Sequence, residues 1–249
     1  TTGVLMADRE DHLFQTPFAG VGEFRFDEKV AQVFPDMIRR SVPGYGQVIG
    51  SSALIAKRHA KPNTAIYDLG CSLGATTLAM ANQVRTEGCR IIAVDNSEAM
   101  LTQARQTMSD RLFDPLPIEW VCHDIVEMPF EPCSVVALNF TLQFIALEKR
   151  MQLLASINEA LVPGGVLILA EKVVLQNTKS QQALTELHLD FKRANGYSEL
   201  EIAGKRQAIE NVLIPETAEA HISRLQNAGF SEVTEFFHCL NFKAWMAVA

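Results

Sequence analysis

The sequence predicts an open α/β fold, in which helices cover a mostly parallel sheet and a ligand binds at one edge of it. From Ala65 onward, short apolar segments rich in Val, Ile, Leu and Ala alternate with segments of helical periodicity. The first apolar segment ends in Asp68 and continues through Gly70 and Gly74 into an apolar helical segment, which is typical of a strand that enters a helix at a nucleotide pocket. Several later apolar segments also end in polar residues. These features together predict the fold class.

The residues from Asp68 to Gly74 differ from two common nucleotide-binding motifs. Glycines let a ligand approach the backbone, and the helix that follows presents unpaired N–H groups at its start. After Gly70 come Cys71 and Ser72, so the Gly-x-Gly-x-x-Gly pattern of dinucleotide pockets is missing. No Gly-Lys-Ser/Thr follows either, which excludes a P-loop.

Composition limits the classes of function. A chain of 249 residues with 48% hydrophobic and 20% charged residues fits one globular domain, and no uncharged apolar run is long enough to span a bilayer. The formal charge of −7 argues against direct nucleic-acid binding. The five cysteines are odd in number and never form Cys-x-x-Cys, so we expect buried reduced thiols and no metal site. Asp8 to Asp11 interrupt any secretory signal, which predicts a cytoplasmic protein.

The segment before the first strand is predicted to contain an arm and two helices. We expect residues 1–22 to form a flexible arm and residues 23–249 to form a single α/β domain. A helix begins near Asp27 and is broken or kinked by Pro35, and a second helix covers about residues 46–60. Tyr45, on the turn between them, is a candidate ligand contact, although packing of its ring on the core is an equally good interpretation.

Five strands and their polar ends follow in order, at residues 65–68, 90–95, 118–122, 134–139 and 166–171. Asp95 can accept both hydroxyls of an adenosine ribose, or can instead be a helix-cap acid next to Ser97. Asp124 can bind an adenine amino group while Ile125 packs on the ring. Asn139 ends the fourth strand, so the polar side chains converge at one edge of the sheet.

The remaining segments comprise a helix over about residues 147–161, a helical insertion and a final hairpin. The helix stops at Pro163-Gly164, and the fifth strand begins at Val166. We interpret the helical insertion at about 178–212 as a lid. Strands at 231–239 and 242–248 form a closing antiparallel hairpin.

Residues 60–172 resemble the class I S-adenosylmethionine-dependent methyltransferases. Asp68 to Gly74 is similar to the first motif of that family, and Asp95 to its second-strand acid. The resemblance implies a Rossmann-like, seven-stranded sheet with one antiparallel strand and with S-adenosyl-L-methionine as the ligand.

A closer resemblance extends from Phe26 to Val248 and concerns the carboxy-S-adenosyl-L-methionine synthase family. It is carried by the runs at residues 34–38, 41–45, 67–74, 138–144 and 190–202. The family uses S-adenosylmethionine as a substrate, takes a carboxylate from prephenate and releases phenylpyruvate. Its product supplies a partner enzyme that carboxymethylates 5-hydroxyuridine at the tRNA wobble position. The resemblance also implies a homodimer.

The resemblance implies a set of ligand contacts that includes the positions chosen above. They are Tyr45, Gly70, Cys71, Ser72, Asp95, Asn96, Asp124, Ile125 and Asn139, with Arg206 as the catalytic residue that binds the transferred carboxylate. Without the resemblance, Arg206 would be interpreted as part of a solvated helix face. A guanidinium can bind a carboxylate through two hydrogen bonds, which a lysine cannot do.

The mechanism that the resemblance implies needs no dedicated base. Prephenate loses carbon dioxide and its hydroxyl, the hydroxide removes a proton from the activated methyl group, and the sulfonium ylide attacks the carbon dioxide. His188 or His123 as a base is a weaker alternative, because a lone histidine is more often structural. Two other functions stay open, namely an ordinary small-molecule methyltransferase and a non-catalytic nucleoside-binding subunit of a tRNA-modifying complex.

Overall fold

The computed structural model describes residues 28–108, 116–209 and 212–249, except for the side chains of Lys29 and residues 205–209. The arm predicted at residues 1–22 lies outside this part of the chain. The side chain of Arg206 lies outside it as well.

Within the described residues, seven strands form one sheet in the order β3-β2-β1-β4-β5-β7-β6. They are β1 (Ala65–Leu69), β2 (Arg90–Asp95), β3 (Ile118–Cys122), β4 (Cys133–Asn139), β5 (Leu161–Lys172), β6 (Glu232–Cys239) and β7 (Phe242–Val248). Strands β1 to β5 run parallel, whereas β7 pairs antiparallel with both β5 and β6. The prediction of a seven-stranded, mostly parallel sheet with a final antiparallel hairpin is therefore confirmed.

Eight α-helices and one 3₁₀ helix surround the sheet in the described part of the chain. They are α1 (Glu28–Ser41), α2 (Tyr45–His59), α3 (Ala75–Gln83), α4 (Glu98–Met108), the 3₁₀ helix (Leu142–Phe144), α5 (Leu147–Ala160), α6 (Thr178–Ala194), α7 (Glu199–Ile209) and α8 (Ala218–Asn227). Helices α6 and α7 occupy the insertion that the sequence predicts. Helix α8 was not predicted; its N-cap is Thr217, whose hydroxyl accepts the N–H of Ala220 at 3.2 Å.

Of the two alternatives at Pro35, a break does not occur, and the start of one strand differs from its prediction. Helix α1 continues through Pro35, because its buried face, which includes Val30 and Met37, packs with Met100 of α4 and outweighs the lost hydrogen bond. Strand β5 begins at Leu161 and not at Val166. Leu161 already pairs with Cys133, and a register shift after that pair accommodates the glycines.

Strand β1 is buried along its whole length, which is typical of a central parallel strand. Tyr67 and Leu69 pack with the helices on one face of the sheet, while Ile66 packs on the other with Ala56 and Met80. Burial on both faces holds the carboxyl end of β1 rigidly, and this end carries the glycine turn.

The cysteines meet the expectation of burial only in part. All five are free, and Cys71, Cys89 and Cys133 are buried, but Cys122 is exposed and Cys239 is half-buried. Cys122 is the last residue of β3, a partly exposed edge strand, so its apolar context in the sequence does not bury it. None of the described helices is both long and apolar enough to cross a membrane.

Candidate active site

A cavity of about 650 Å³ opens at the carboxyl ends of the parallel strands, beneath α1 and α6. This central cavity has the size of a typical small-molecule site, and it lies where open α/β sheets bind their ligands. Nine of the ten predicted contacts line it, namely Tyr45, Gly70, Cys71, Ser72, Asp95, Asn96, Asp124, Ile125 and Asn139. The tenth, Arg206, is in α7, and its side chain is not among those described.

The glycine turn at one end of the cavity needs its particular residues. Gly70, Ser72 and Gly74 all adopt positive φ, at 73°, 53° and 75°. The N–H groups of Gly70 and Cys71 both donate to the carbonyl of Val94, at 2.8 and 2.9 Å. These bonds fasten the turn to β2 and leave its backbone facing the cavity.

Asp95 fixes the turn from the neighbouring strand. Its Oδ2 accepts the N–H of Ser72 at 2.8 Å, and its Oδ1 accepts the N–H of Ser97 at 2.9 Å. Burial raises the pKa of Asp95, while these N–H groups oppose the shift. The hydroxyl of Ser97 accepts the N–H of Met100 at 3.3 Å, so Ser97 caps α4. Asp95 supports the start of α4 through the N–H of Ser97 and also lines the cavity, so its role as a ribose ligand stays a prediction.

Asp68 supports the turn from below. Its side chain is buried, and its Oδ2 accepts the Thr77 hydroxyl at 2.5 Å. Burial raises the pKa of Asp68 to about 7, although the hydrogen bonds from Thr77 oppose this shift. The carboxyl group joins the end of β1 to α3 and lies next to the cavity.

Asn139 and Tyr45 lie at the middle of the cavity. The amide of Asn139 donates from Nδ2 to the hydroxyls of Ser52 and Thr76, both at 3.2 Å. Its Oδ1 is buried and accepts no hydrogen bond from the described residues. Such an acceptor costs free energy unless a ligand donates to it. Tyr45 packs on Phe140 with ring centroids 6.0 Å apart, and burial raises the pKa of its phenol, so Tyr45 both packs and lines the cavity.

The wall of the cavity near β3 combines an apolar and a polar group. Ile125 is buried in the core, whereas Asp124 is exposed and accepts the N–H of Val126 at 2.9 Å with its Oδ1. This hydrogen bond holds the Asp124 carboxylate at the cavity rim. A flat aromatic group could contact Ile125 while donating to a carboxylate or carbonyl at the rim.

Helix α6 closes the other end of the cavity. Gln181, Thr185, His188 and Lys192 line it from one helix face, at spacings of three and four residues. The His188 ring lies 2.7 Å from the carbonyl of Ser41 through Nε2, which therefore carries the proton. Burial, together with the charges of Lys192 and Lys172, lowers the pKa of His188 to about 3. The ring is neutral and weakly basic, which argues against His188 as the base. His123, the other alternative, is exposed at the cavity rim.

Among the polar residues of this cavity that were not predicted, three lie close to β5. Gln143, Lys172 and Asn241 line the cavity, and Gln143 accepts the N–H of Lys172 at 3.2 Å with its Oε1. They come from the 3₁₀ helix, the end of β5 and the hairpin turn. Only Gln143 lies in a run that carried the resemblance. The described residues contain no group of three His, Cys, Asp or Glu side chains that could hold a metal ion.

The glycine turn, the strand-end acids and the sheet order define a protein of the S-adenosylmethionine-dependent methyltransferase fold. Residues 66–165 match the family model described as a methyltransferase domain. The chain is also similar in structure to human N-acetylserotonin methyltransferase in complex with SAM, with a TM-score of 0.59. That match has 16% identity and covers 89% of this chain and 55% of the other, so it concerns the fold alone.

Relatives with much higher identity define the family more narrowly. The chain is 55% identical over 246 residues to the carboxy-S-adenosyl-L-methionine synthase of Pseudomonas putida strain GB-1. The aligned residues cover 98% of this chain and 100% of that protein. The chain is 52% identical over the same shares to the synthase of that name from Stutzerimonas stutzeri strain A1501. The chain belongs to the carboxy-S-adenosyl-L-methionine synthase family.

Proposed function

We propose that the protein converts S-adenosyl-L-methionine and prephenate into carboxy-S-adenosyl-L-methionine and phenylpyruvate. The observation that carries the proposal is the identity of 55% over almost the whole chain with a named synthase. The central cavity supports it, because it is large enough for a nucleoside with space remaining for a second molecule.

The nucleoside would lie across the carboxyl ends of β1 to β4. Asp95 would accept the ribose hydroxyls, and Asp124 and Ile125 would bind the adenine. The Oδ1 of Asn139, which has no partner among the described residues, is suited to accept a hydrogen bond from the ammonium group of the methionine portion. Tyr45, the glycine turn at 70–72 and Asn96 would enclose the rest.

In the reaction we propose, two bonds of prephenate break. The C–C bond to its ring carboxylate and the C–O bond to its hydroxyl yield carbon dioxide, hydroxide and phenylpyruvate. Hydroxide takes one proton from the S-methyl group to form water, and the resulting ylide forms a C–C bond to carbon dioxide. Arg206 would bind the transferred carboxylate, and the helices that cover the cavity would limit the access of bulk water.

The decisive experiment incubates the purified protein with both substrates and determines the mass of the nucleoside product. A gain of one carboxylate group is expected. Formation of S-adenosylhomocysteine with a methylated acceptor would instead indicate an ordinary methyltransferase, and no conversion would overturn the proposal.

Arg206→Leu separates the enzyme from a non-catalytic binding subunit. Carboxylation should be lost while S-adenosylhomocysteine still binds. Arg193→Leu is the control, because Arg193 is on the same insertion but forms exposed ion pairs with Asp190 and Glu199. Unchanged tRNA modification in cells that carry Arg206→Leu would favour the binding subunit.

We also propose a cytoplasmic homodimer whose product serves a tRNA carboxymethyltransferase. Exposed leucines support the dimer, since Leu54, Leu187 and Leu200 are 62%, 50% and 46% exposed and could bury one another across a twofold axis. Gel filtration with light scattering would show a species of twice the monomer mass. Deletion of the gene should remove the carboxymethyl group from wobble uridine, and cell fractionation tests the location.

A further inference from the structure

The central cavity carries opposite charges at its two ends. The acids that line it, Asp68, Asp95 and Asp124, are at or just beyond the ends of β1, β2 and β3. Lys172, at the end of β5, and Lys192, on α6, also line it, and no acid stands beside them among the described lining residues. Since β5 is three strands from β2, the ends of the cavity are about 14 Å apart. We call the part near the two lysines the lysine end.

The two lysines flank His188. Lys192 is one helical turn beyond His188 on α6, and Lys172 pairs in register with Phe242, whose ring centroid is 5.1 Å from that of His188. Burial, with a smaller contribution from the charges of both lysines, lowers the pKa of His188. The ring therefore stays neutral and leaves the positive charge of the lysine end to the two ammonium groups.

Asn241 adds a neutral polar group to the lysine end. It is 1% exposed, lines the cavity, and its Oδ1 has no hydrogen-bond partner among the described residues. Its backbone carbonyl accepts the N–H of Val173 at 2.8 Å, which places Asn241 beside the end of β5. A buried acceptor that faces a cavity is available to a donor group of a bound ligand.

We infer that the lysine end is the subsite for the anionic substrate, with Lys172 and Lys192 binding a carboxylate and the Oδ1 of Asn241 accepting a hydrogen bond from a hydroxyl group. The inference rests on the proposed function and specifies where its second substrate binds. Each ammonium group has three donors, so it can bind a ligand carboxylate in addition to a partner in the protein. Prephenate has two carboxylates and one hydroxyl. If Arg206 binds the carboxylate that is transferred, the lysines bind the one that phenylpyruvate keeps.

The charge distribution also orients the two substrates. The sulfonium and ammonium groups of S-adenosylmethionine are repelled by the lysines and attracted by the acids. An anionic acid is attracted to the opposite end. The reacting groups of the two molecules therefore meet near the middle of the cavity, beside Asn139 and Thr141.

The test uses Lys172→Gln and Asn241→Leu, with Lys179→Gln as the matched control. Lys179 is exposed in the first turn of α6 and does not line the cavity. Both subsite variants should raise the KM for prephenate by about tenfold or more, as expected for the loss of a charge-assisted or buried hydrogen bond. The affinity for S-adenosylhomocysteine, measured by calorimetry, should not change, which also shows that the variants are folded.

A second measurement separates this inference from the proposed function. Prephenate is titrated into the protein loaded with S-adenosylhomocysteine, so no turnover is needed. Binding that depends on Lys172 supports the subsite even if the wild-type protein makes no carboxylated product, which would overturn only the proposed function. Turnover by the wild-type protein with an unchanged KM in both variants would overturn the subsite alone. No binding and no turnover would overturn both.

Discussion

At the scale of single residues, the site depends on side chains that the protein already holds in place. Asp95 uses one carboxylate oxygen for Ser72 and the other for Ser97, so its position is set before any ligand arrives. Asn139 is held by two hydroxyls and keeps its Oδ1 for the cavity. Preorganisation of this kind reduces the free energy lost when a ligand binds.

Asp95→Asn tests this arrangement. The amide of the variant keeps one acceptor oxygen but has an NH₂ group in place of the other, and this donor faces an N–H group. Either the N–H of Ser72 in the turn or the N–H of Ser97 at the start of α4 therefore loses its acceptor. We expect the affinity for S-adenosylhomocysteine to fall roughly 10- to 100-fold, the effect of one hydrogen bond to a charged group. Isothermal titration calorimetry measures it, with Glu98→Gln on the exposed side of α4 as the control. Equal affinity in wild type and Asp95→Asn would show that the turn holds without this carboxylate.

The buried ring of His221 is expected to make the stability of the protein depend on pH. His221 is 1% exposed, stacks on Trp245 with ring centroids 5.5 Å apart, and has no described hydrogen-bond partner for either ring nitrogen. Burial lowers the pKa of His221 to about 4. The unfolded chain therefore binds this proton more readily than the folded protein, and the stabilising contribution present at neutral pH is lost as the pH falls from 6.5 towards 4.

His221→Phe should remove that loss. Between pH 7 and pH 4.5 the variant should lose roughly 2–3 kcal/mol less unfolding free energy than the wild type, because the pKa of His221 falls from 6.5 in the unfolded chain to about 4 in the folded protein. Urea unfolding at both pH values measures the difference, and His238→Gln, which changes an exposed ring, serves as the control. The same pH slope in wild type and His221→Phe would contradict the prediction.

At the scale of elements, connections between strands and helices decide the shape of the site. The fully buried Arg150 of α5 donates to Glu216 at 2.5 Å and to the carbonyls of Gln143 and Ile214, at 3.2 and 2.9 Å. It therefore joins the 3₁₀ helix to the segment that leads into α8. Truncating Glu216 would remove the carboxylate that pairs with the buried guanidinium of Arg150.

Alanine substitutions at two glycines, one in the glycine turn and one in α2, test how tightly the turn is packed. At Gly74, φ is 75° and a Cβ atom would lie 2.0 Å from Met108 Cε and 2.9 Å from Trp120 Cη2. Gly74→Ala should therefore destabilise the protein by about 2 kcal/mol or more. Gly50, inside α2, has no atom within 4 Å of such a Cβ, so Gly50→Ala should stabilise by about 0.5–1 kcal/mol. Thermal and urea unfolding compare the two, and a Gly74→Ala protein as stable as Gly50→Ala would contradict the argument.

At the scale of the whole molecule, burial of carboxyl groups gives the protein a pH-dependent stability. Burial raises the pKa of Asp68 to about 7 and that of Glu171 to about 8, although Glu171 accepts N–H groups from Leu142 and Gln143. The folded protein therefore keeps these protons to higher pH than the unfolded chain. The corresponding stability is present in acid and is lost as the pH rises through 7 and 8.

The free energy of unfolding should therefore fall by on the order of 2–3 kcal/mol between pH 6.5 and 8.5. Urea unfolding across this range measures it. Glu171→Gln should flatten the slope most, because Glu171 titrates higher, whereas Glu159→Gln on the exposed face of α5 should leave it unchanged. A flat profile for the wild type would show that both groups keep their ordinary pKa values in the fold.

The sequence by itself determined the order of the strands along the chain, the glycine turn and the acids that line one end of the cavity. Periodicity, turn residues and strand-end acids act within a few residues of one another, so the chain shows them directly. Even there, the start of β5 was misplaced because a strand pairing with Cys133 decides it. Helix α8 was not predicted, and one of the two residues that it buries, His221, is polar, whereas the other is Leu225.

Only the tertiary structure decided the lysine end of the cavity. Lys172 and Asn241 are far apart in sequence, and they are neighbours only because β7 folds back antiparallel beside β5. His188 joins them because α6 packs over Phe242. Neither Lys172 nor Asn241 lies in a local sequence pattern that distinguishes it from a surface lysine or a turn asparagine. Their chemistry comes from burial and long-range pairing, which no short stretch of sequence specifies.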